Sequence, residues 1–300
     1  MIEPRPVTVA AVQYPIEFVG SWERYAAKLT RLVAEAAEHG GQILALPEYA
    51  SLELASTFPK QIYSSLPAQI DALQQCLPGY LELHRDLARK HGVYLLAGSY
   101  PVRVEDGGYR NRAYFFGPEG NCDFQEKLQM TRFESERWLV RSGSGIKIFE
   151  TRFGRVGVNV CYDVEFPLIA RTQVEAGAWL LLVPSCTDNA SGYNRVRVGC
   201  QARALENQCY VAMAPTVGTA EWSEAIDANV GAAGVFTPLD RGFPSDGVLA
   251  LGEMNAAQSI YAALEPARIE EVRRDGQVLN HRDWRKQPAA IESAPVVVSL

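Results

Sequence analysis

Three residues far apart in the chain have the types and settings needed for nucleophilic chemistry on an acyl carbon. Cys161 stands in GVNVCYDVEFP, where a valine-rich strand gives way to the start of a helix within a few residues. Such a junction predicts an exposed thiol facing free N–H groups and the positive end of a helix, which stabilise thiolate and developing oxyanion alike. Considered alone, a cysteine at a strand end reads more readily as a small core residue. A thiol with an ordinary pKa of about 8.5 is only a few per cent ionised near neutrality, so a nucleophile here needs a base.

No histidine is placed to be that base. Glu48, directly after the apolar strand of QILALPEY, sits where a base projecting into a pocket would sit, although a surface carboxylate opening a loop shows the same pattern. Lys127, in FQEKLQMTRFE, is read as lying inside a short strand-like stretch. A cation there would lower the thiol pKa and hold a tetrahedral oxyanion. Without the other two residues it would read as an edge-strand lysine.

The elements that must position these residues alternate between strand and helix almost throughout, which predicts an α/β fold with helices packed over sheets. A strand over Val7–Gln13 leads to a helix over Trp22–His39, whose Tyr25, Leu29, Leu32, Val33 and Ala36 share one face; Gly40 and Gly41 stop it. A buried strand, Gln42–Leu46, ends at Pro47 and Glu48. Ser51–Leu77, with Pro59 and Pro67 inside and Pro78 closing it, reads as a short helix flanked by loops. Tyr109–Phe116 and Phe124–Leu128 read as a hairpin around Gly117-Pro-Glu-Gly120. Strands over Ile146–Glu150 and Val156–Cys161 precede a helix over Pro167–Gly177, and a helix over Asn194–Asn207 leads to a strand over Cys209–Pro215. The stretches QILALPEY and WLLLVPSC resemble each other, each an apolar strand ending in proline with a polar or reactive residue after it, which hints at internal two-fold organisation. One domain over residues 1–300 is the simplest reading, with a polar tail from about residue 275 that ends in the apolar Pro295–Leu300.

Bulk properties narrow the classes. The chain has 300 residues, 47% of them apolar, with 29 Lys and Arg against 35 Asp and Glu. A large core is affordable by length. The net charge of −6 and the lack of clustered cations argue against nucleic acid as a partner. No apolar run approaches the roughly 20 residues of a membrane span, and the N-terminal MIEPRPVTVAAVQYP has no signal-peptide pattern, so a cytoplasmic location is expected. The six cysteines form no CxxC pair, and His39, His84, His91 and His281 have no zinc-ligand spacing. No metal or cofactor is expected.

Taken together, LPEYA with Glu48, EKLQMTRFE with Lys127 and GVNVCYDVEFP with Cys161 resemble the nitrilase superfamily of carbon-nitrogen hydrolases, whose catalytic Glu, Lys and Cys occur in this order. VAAVQYP is similar to that family's first strand, NRAYFFGPEG to the hairpin before the lysine, and QARALENQCYV to the helix and strand after the nucleophile, so the resemblance spans nearly the whole chain. It implies a four-layer α-β-β-α sandwich and a homodimer. It also implies a second glutamate that positions lysine or substrate, for which Glu134 matches best and Glu136 is the alternative. Arg203, Glu206 and Asn207 match a stretch expected to serve structural hydrogen bonding. CYDVEFP followed by PSCTDNASGYNRVRVGCQARALENQ is similar to a branch often fused to an acetyltransferase domain.

The reading that follows is hydrolysis of a non-peptide amide or carbamoyl bond. Glu48 takes the thiol proton, Cys161 attacks the carbonyl, and Lys127 with the Tyr162 backbone N–H holds the oxyanion. A nitrilase, an amide-forming acyltransferase, an inactive binding protein of the same fold and a redox role for Cys161 are the competing readings. Ser51–Leu77, Trp138–Gly145 and Cys186–Tyr193 are the candidate pocket rim.

Overall fold

Residues 5–138, 140–287 and 297–299 are described by the computed structural model of the chain. Its first half contains β1 (Val7–Pro15), β2 (Ile43–Ala45), β3 (Tyr94–Arg103), β4 (Tyr109–Phe116), β5 (Cys122–Glu126) and, beside β4, the two-residue β6 (Val140–Arg141). The second half contains β7 (Ile148–Thr151), β8 (Gly154–Val158), β9 (Ala178–Ser185), β10 (Tyr210–Thr219), β11 (Ala228–Asn229), β12 (Gly234–Phe236) and β13 (Val248–Leu251). The last strand, β14 (Gln258–Leu264), returns to the first half and runs antiparallel to β1.

In each half three parallel strands form the centre, β1-β2-β3 in one and β8-β9-β10 in the other. Antiparallel strands flank both trios. Among the described residues the parallel strands of the two trios pair with each other where the end of β1 meets β10, Tyr14 with Thr216 and Pro15 with Val217. The two resembling stretches of sequence are β2 and β9, the middle strands of the two trios, so the hint of two-fold organisation corresponds to a repeated topology.

Alternation along β1 explains the layers. Val7, Val9 and Ala11 enter the core between the two sheets together with Leu180, Leu182 and Ala212, whereas Ala10, Val12 and Tyr14 face the helices. Strands buried on both faces need this continuous apolar sequence. Over the first sheet lie α1 (Trp22–Glu38), through Tyr25, Leu29 and Val33, and α4 (Leu77–His91), through Leu87. Over the second lie α5 (Pro167–Glu175) and α6 (Ala190–Asn207), through Val174, Val196 and Ala204. The result is the expected α-β-β-α sandwich. Each fully buried side chain of this size contributes about 1.5–3 kcal/mol.

Several boundaries differ from the sequence reading for identifiable reasons. The segment Ser51–Leu77 is more helical than expected: a 3-10 helix over Ala50–Thr57 is followed by α2 (Lys60–Tyr63) and α3 (Leu66–Leu73). Ser65 caps α3 by accepting the Ala68 N–H, and Pro67 occupies the first turn, where a missing N–H is harmless. Pro78 likewise lies in the first turn of α4 rather than closing the preceding segment. β5 stops at Glu126, so Lys127 begins the loop after a strand instead of lying within one.

Beyond α7 (Pro266–Asp275), the described part of the tail forms α8 (Asn280–Asp283) and a turn over Trp284–Lys286. Arg171 of α5 donates to the His281 carbonyl at 3.0 Å and lies over the Trp284 ring, and Gln208 donates to the Val278 carbonyl at 3.1 Å. Of the apolar end, residues 295, 296 and 300 lie outside the described residues. Among the described residues no helix is long and apolar enough to cross a membrane.

Candidate active site

Glu48 is delivered by the end of β2. Its position depends on Gly98 of β3, which has a φ of +76° and passes so close to the Pro47 carbonyl that a Cβ there would lie 2.0 Å from the oxygen. Next to Glu48, Tyr49 adopts a φ of +57°, and its N–H is held by Ser99 Oγ at 3.1 Å. A non-glycine residue at positive φ is strained and persists where its surroundings over-determine it. Cys161 is a second such residue, with a φ of +50°, at the head of the 3-10 turn Cys161–Glu165 that follows β8.

Lys127 is fixed by its backbone: its N–H donates to the Asn111 carbonyl at 2.9 Å, and its own carbonyl accepts from Gly143 at 2.8 Å. Its ammonium then lies between two carboxylates, 2.8 Å from Glu48 Oε1 and 2.6 Å from Glu134 Oε2. Glu134 also accepts the Tyr49 hydroxyl at 2.8 Å and the Thr131 N–H at 3.0 Å. Asn111 Nδ2 donates to Glu48 Oε1 at 2.9 Å. Glu48 Oε2 accepts the Cys186 N–H at 3.1 Å, and the Cys186 carbonyl accepts the Cys161 thiol at 3.7 Å.

The structure thus brings Glu48, Lys127, Glu134 and Cys161 together around one cavity of about 720 Å³. All four are at least 95% buried, and Glu136 is instead exposed and paired with Arg132 at 2.8 Å. The Tyr162 N–H makes no hydrogen bond among the described residues and follows Cys161 directly. Arg203, from α6, donates to the Val164 carbonyl at 2.8 Å and pairs with Glu206, bracing the turn that carries Cys161.

Burial dominates the protonation of this cluster. It raises Glu48 above the ordinary carboxylate range, against the pull of Lys127. Glu134 is also pushed up by burial, but Lys127, Thr131 and Tyr49 outweigh that and hold it low. Burial disfavours the Lys127 ammonium, yet the two carboxylates beside it raise its pKa well above the ordinary value. The Cys161 thiol is pushed well above the ordinary thiol range, by burial first and then by the charge of Glu48.

One expectation is corrected here. Cys161 is 5% exposed rather than an exposed thiol, because the strand ends at the buried floor of the cavity instead of at the surface. Lys127 pulls the thiol pKa down, but burial and the charge of Glu48 outweigh it and hold the pKa above the ordinary thiol value.

The pocket rim also differs. No residue of Ser51–Leu77 lines the cavity; that segment packs behind Glu48. Of the described residues of Trp138–Gly145, Trp138 contributes, and from Cys186–Tyr193 the liners are Cys186, Thr187, Asp188 and Gly192. Met130 to Arg137 and the loop carrying Glu224, Ala225 and Asp227 supply walls that the sequence did not signal. Asn111 was missed as a site residue because it lies within a strand, and Cys186, expected on the rim, acts through its backbone N–H and carbonyl. Among the described residues no cluster of three or more His, Cys, Asp or Glu is placed to hold a metal ion.

The family model for carbon-nitrogen hydrolases matches residues 8–273. The chain belongs to this family. The carbon-nitrogen hydrolase is 31% identical over 281 residues to the probable hydrolase YhcX of Bacillus subtilis, covering 94% of this chain and 54% of YhcX. The chain therefore spans about half the length of that relative. It is 30% identical to an omega-amidase of Xenopus laevis over 62% of this chain and 67% of that protein. Among solved structures, a carbon-nitrogen hydrolase from Helicobacter pylori superposes with a TM-score of 0.74 at 20% identity, covering 91% of this chain and 93% of the other. Nit3 of Saccharomyces cerevisiae, of the nitrilase superfamily, gives 0.68 at 22% identity over 91% and 95%. At these identities the structural likeness speaks for the fold, which this carbon-nitrogen hydrolase shares.

Proposed function

We propose that the enzyme hydrolyses a non-peptide amide or carbamoyl bond of a small molecule through a thioester on Cys161. The observation that carries this reading is the Lys127 ammonium held between Glu48 and Glu134 beside a buried thiol. An ammonium has three N–H donors, and two are taken by carboxylates. The third is left for an oxyanion in the cavity, together with the Tyr162 N–H.

The chemistry follows from the occupancy of each oxygen. Glu48 Oε1 accepts from Lys127 and Asn111, so Oε2, which accepts the Cys186 N–H, is the oxygen left to receive the thiol proton. The sulfur attacks the carbonyl carbon, and the oxyanion forms against Lys127 and Tyr162; one such donor is worth roughly 3–4 kcal/mol of barrier. Glu48 returns its proton to the nitrogen, the C–N bond breaks, and ammonia or an amine leaves. A water deprotonated by Glu48 then attacks the thioester, releasing the acid and restoring the thiol. Glu134 keeps Lys127 charged and aimed.

The relative named as an omega-amidase supports amide over nitrile as the substrate. The test is ammonia release from short amides, carbamoyl amino compounds and nitriles, with Cys161→Ala as control. Native turnover by that variant overturns the assignment; release of an amide from a nitrile, or transfer of the acyl group to an added amine, favours the competing reactions. A covalent acyl mass on Cys161 separates an enzyme from an inactive relative.

We further read residues 1–300 as one catalytic domain acting in the cytoplasm, in keeping with six unpaired cysteines, and as a homodimer. Leu168 of α5 and Val198 and Leu205 of α6 are exposed on the outer helical layer, the apolar face that a second copy would cover. Light scattering that finds a monomer at all concentrations removes the dimer.

A further inference from the structure

We propose that Asp163 is a positioning residue that sets the placement of Lys127 relative to Cys161. The inference rests on the function proposed above. Asp163 is 1% exposed and forms no ion pair with a Lys or Arg among the described residues. A buried carboxylate is unfavourable unless its charge meets donors, and here all of them are backbone N–H groups. Oδ1 accepts from Leu128 at 3.0 Å and Gln129 at 2.7 Å; Oδ2 accepts from Leu128 at 3.2 Å and Val160 at 3.3 Å.

Those donors flank the two reacting side chains. Leu128 and Gln129 follow Lys127 directly, and Val160 precedes Cys161. The other backbone bonds of Lys127, to Asn111 and Gly143, tie it to the first sheet and its border. Cys161 belongs to the second half, at the end of β8. The Asp163 carboxylate is therefore the staple that joins the loop after β5 to the nucleophile turn, across 34 and 35 residues of chain. A local capping role would need only the bond to Val160. The two long-range acceptors serve to keep the ammonium within reach of an oxyanion formed at the sulfur.

Two variants break the staple from opposite ends. Asp163→Asn replaces an acceptor oxygen with an amide that faces an N–H donor. Gln129→Pro deletes the Gln129 N–H, at a residue whose side chain is exposed, and changes no charge, while fixing φ there and restricting Leu128. Both are expected to lower kcat for a short aliphatic primary amide on the order of 10- to 100-fold, with KM within about twofold, because misplacing a catalytic group by about 1 Å costs that much. In Gln129→Pro the pH dependence of Cys161 alkylation by iodoacetamide is also expected to move to higher pH, as Lys127 retreats from the sulfur. A purely structural role would lower the melting temperature and leave the kcat-to-KM split and the alkylation profile unchanged in folded protein. Folded Gln129→Pro with the wild-type kcat and alkylation profile overturns the proposal, whether or not Asp163→Asn folds. Native turnover by Cys161→Ala would instead sink the underlying catalytic assignment, a distinct outcome.

Discussion

The Cys186 N–H lies 3.1 Å from Glu48 Oε2, joining the ends of the two quasi-equivalent strands β2 and β9 at the oxygen proposed to receive the thiol proton. Oε1 is occupied by Lys127 and Asn111, so the carboxylate cannot rotate without losing hydrogen bonds on both oxygens. Glu48→Gln retains one acceptor but turns an NH2 toward either the Cys186 N–H or the Lys127 ammonium, and it cannot take the thiol proton. The expected loss in kcat is about 10²- to 10⁴-fold, with little change in KM, read by ammonia release. A Glu48→Gln protein at the native rate would exclude the base role.

The pH dependence follows from the same carboxylate. Burial places the Glu48 pKa above the ordinary carboxylate value of 4.5, and the base must be ionised to act. The acid limb of kcat/KM is therefore expected above pH 4.5, rate being lost as pH falls through the folded pKa. Because Glu48, Lys127 and Glu134 share protons, the limb reports the cluster and not one residue. A rate that stays flat down to pH 4 would contradict a buried base.

The two candidates for the second glutamate sit in opposite environments. Glu134 holds the Lys127 ammonium and accepts from Thr131 and Tyr49, whereas Glu136 meets only exposed Arg132. Glu134→Gln should cost at least tenfold in kcat and destabilise the fold by about 3–5 kcal/mol, as breaking a buried pair does. Glu136→Gln should stay within about twofold in rate, since exposed pairs are worth about 0–1 kcal/mol. Steady-state kinetics and thermal melts of the pair of variants decide it, and equal effects would refute the distinction.

How far the sequence revealed this arrangement depends on what each residue does. Glu48, Lys127 and Cys161 each follow the end of a strand, Glu48 directly after Pro47, and side-chain chemistry at such junctions leaves a visible motif. The strands and helices were legible for the same reason, since β1 and α1 carry clean apolar periodicity. Asn111 was hidden because it occupies an interior position of β4, where its type alone predicts nothing. Cys186 contributes an N–H and a carbonyl, which any residue could supply. The depth of Cys161 was misjudged because exposure depends on the loops near Met130 and Glu224, distant in sequence from the strand that carries the thiol.

Gly98 offers a test of the scaffold separate from the chemistry. Its φ of +76° suits glycine, and a Cβ would lie 2.0 Å from the Pro47 carbonyl oxygen, next to Glu48. Backbone must shift in Gly98→Ala, because the obstructing atom is not the end of a flexible side chain. The left-handed conformation alone costs about 1–3 kcal/mol, and displacement of Pro47 adds to it. The melting temperature should fall, and kcat should fall with it as Glu48 leaves its place between Lys127 and Cys186. A Gly98→Ala protein with unaltered melting and unaltered turnover would mean that β2 and β3 do not make this close approach in solution.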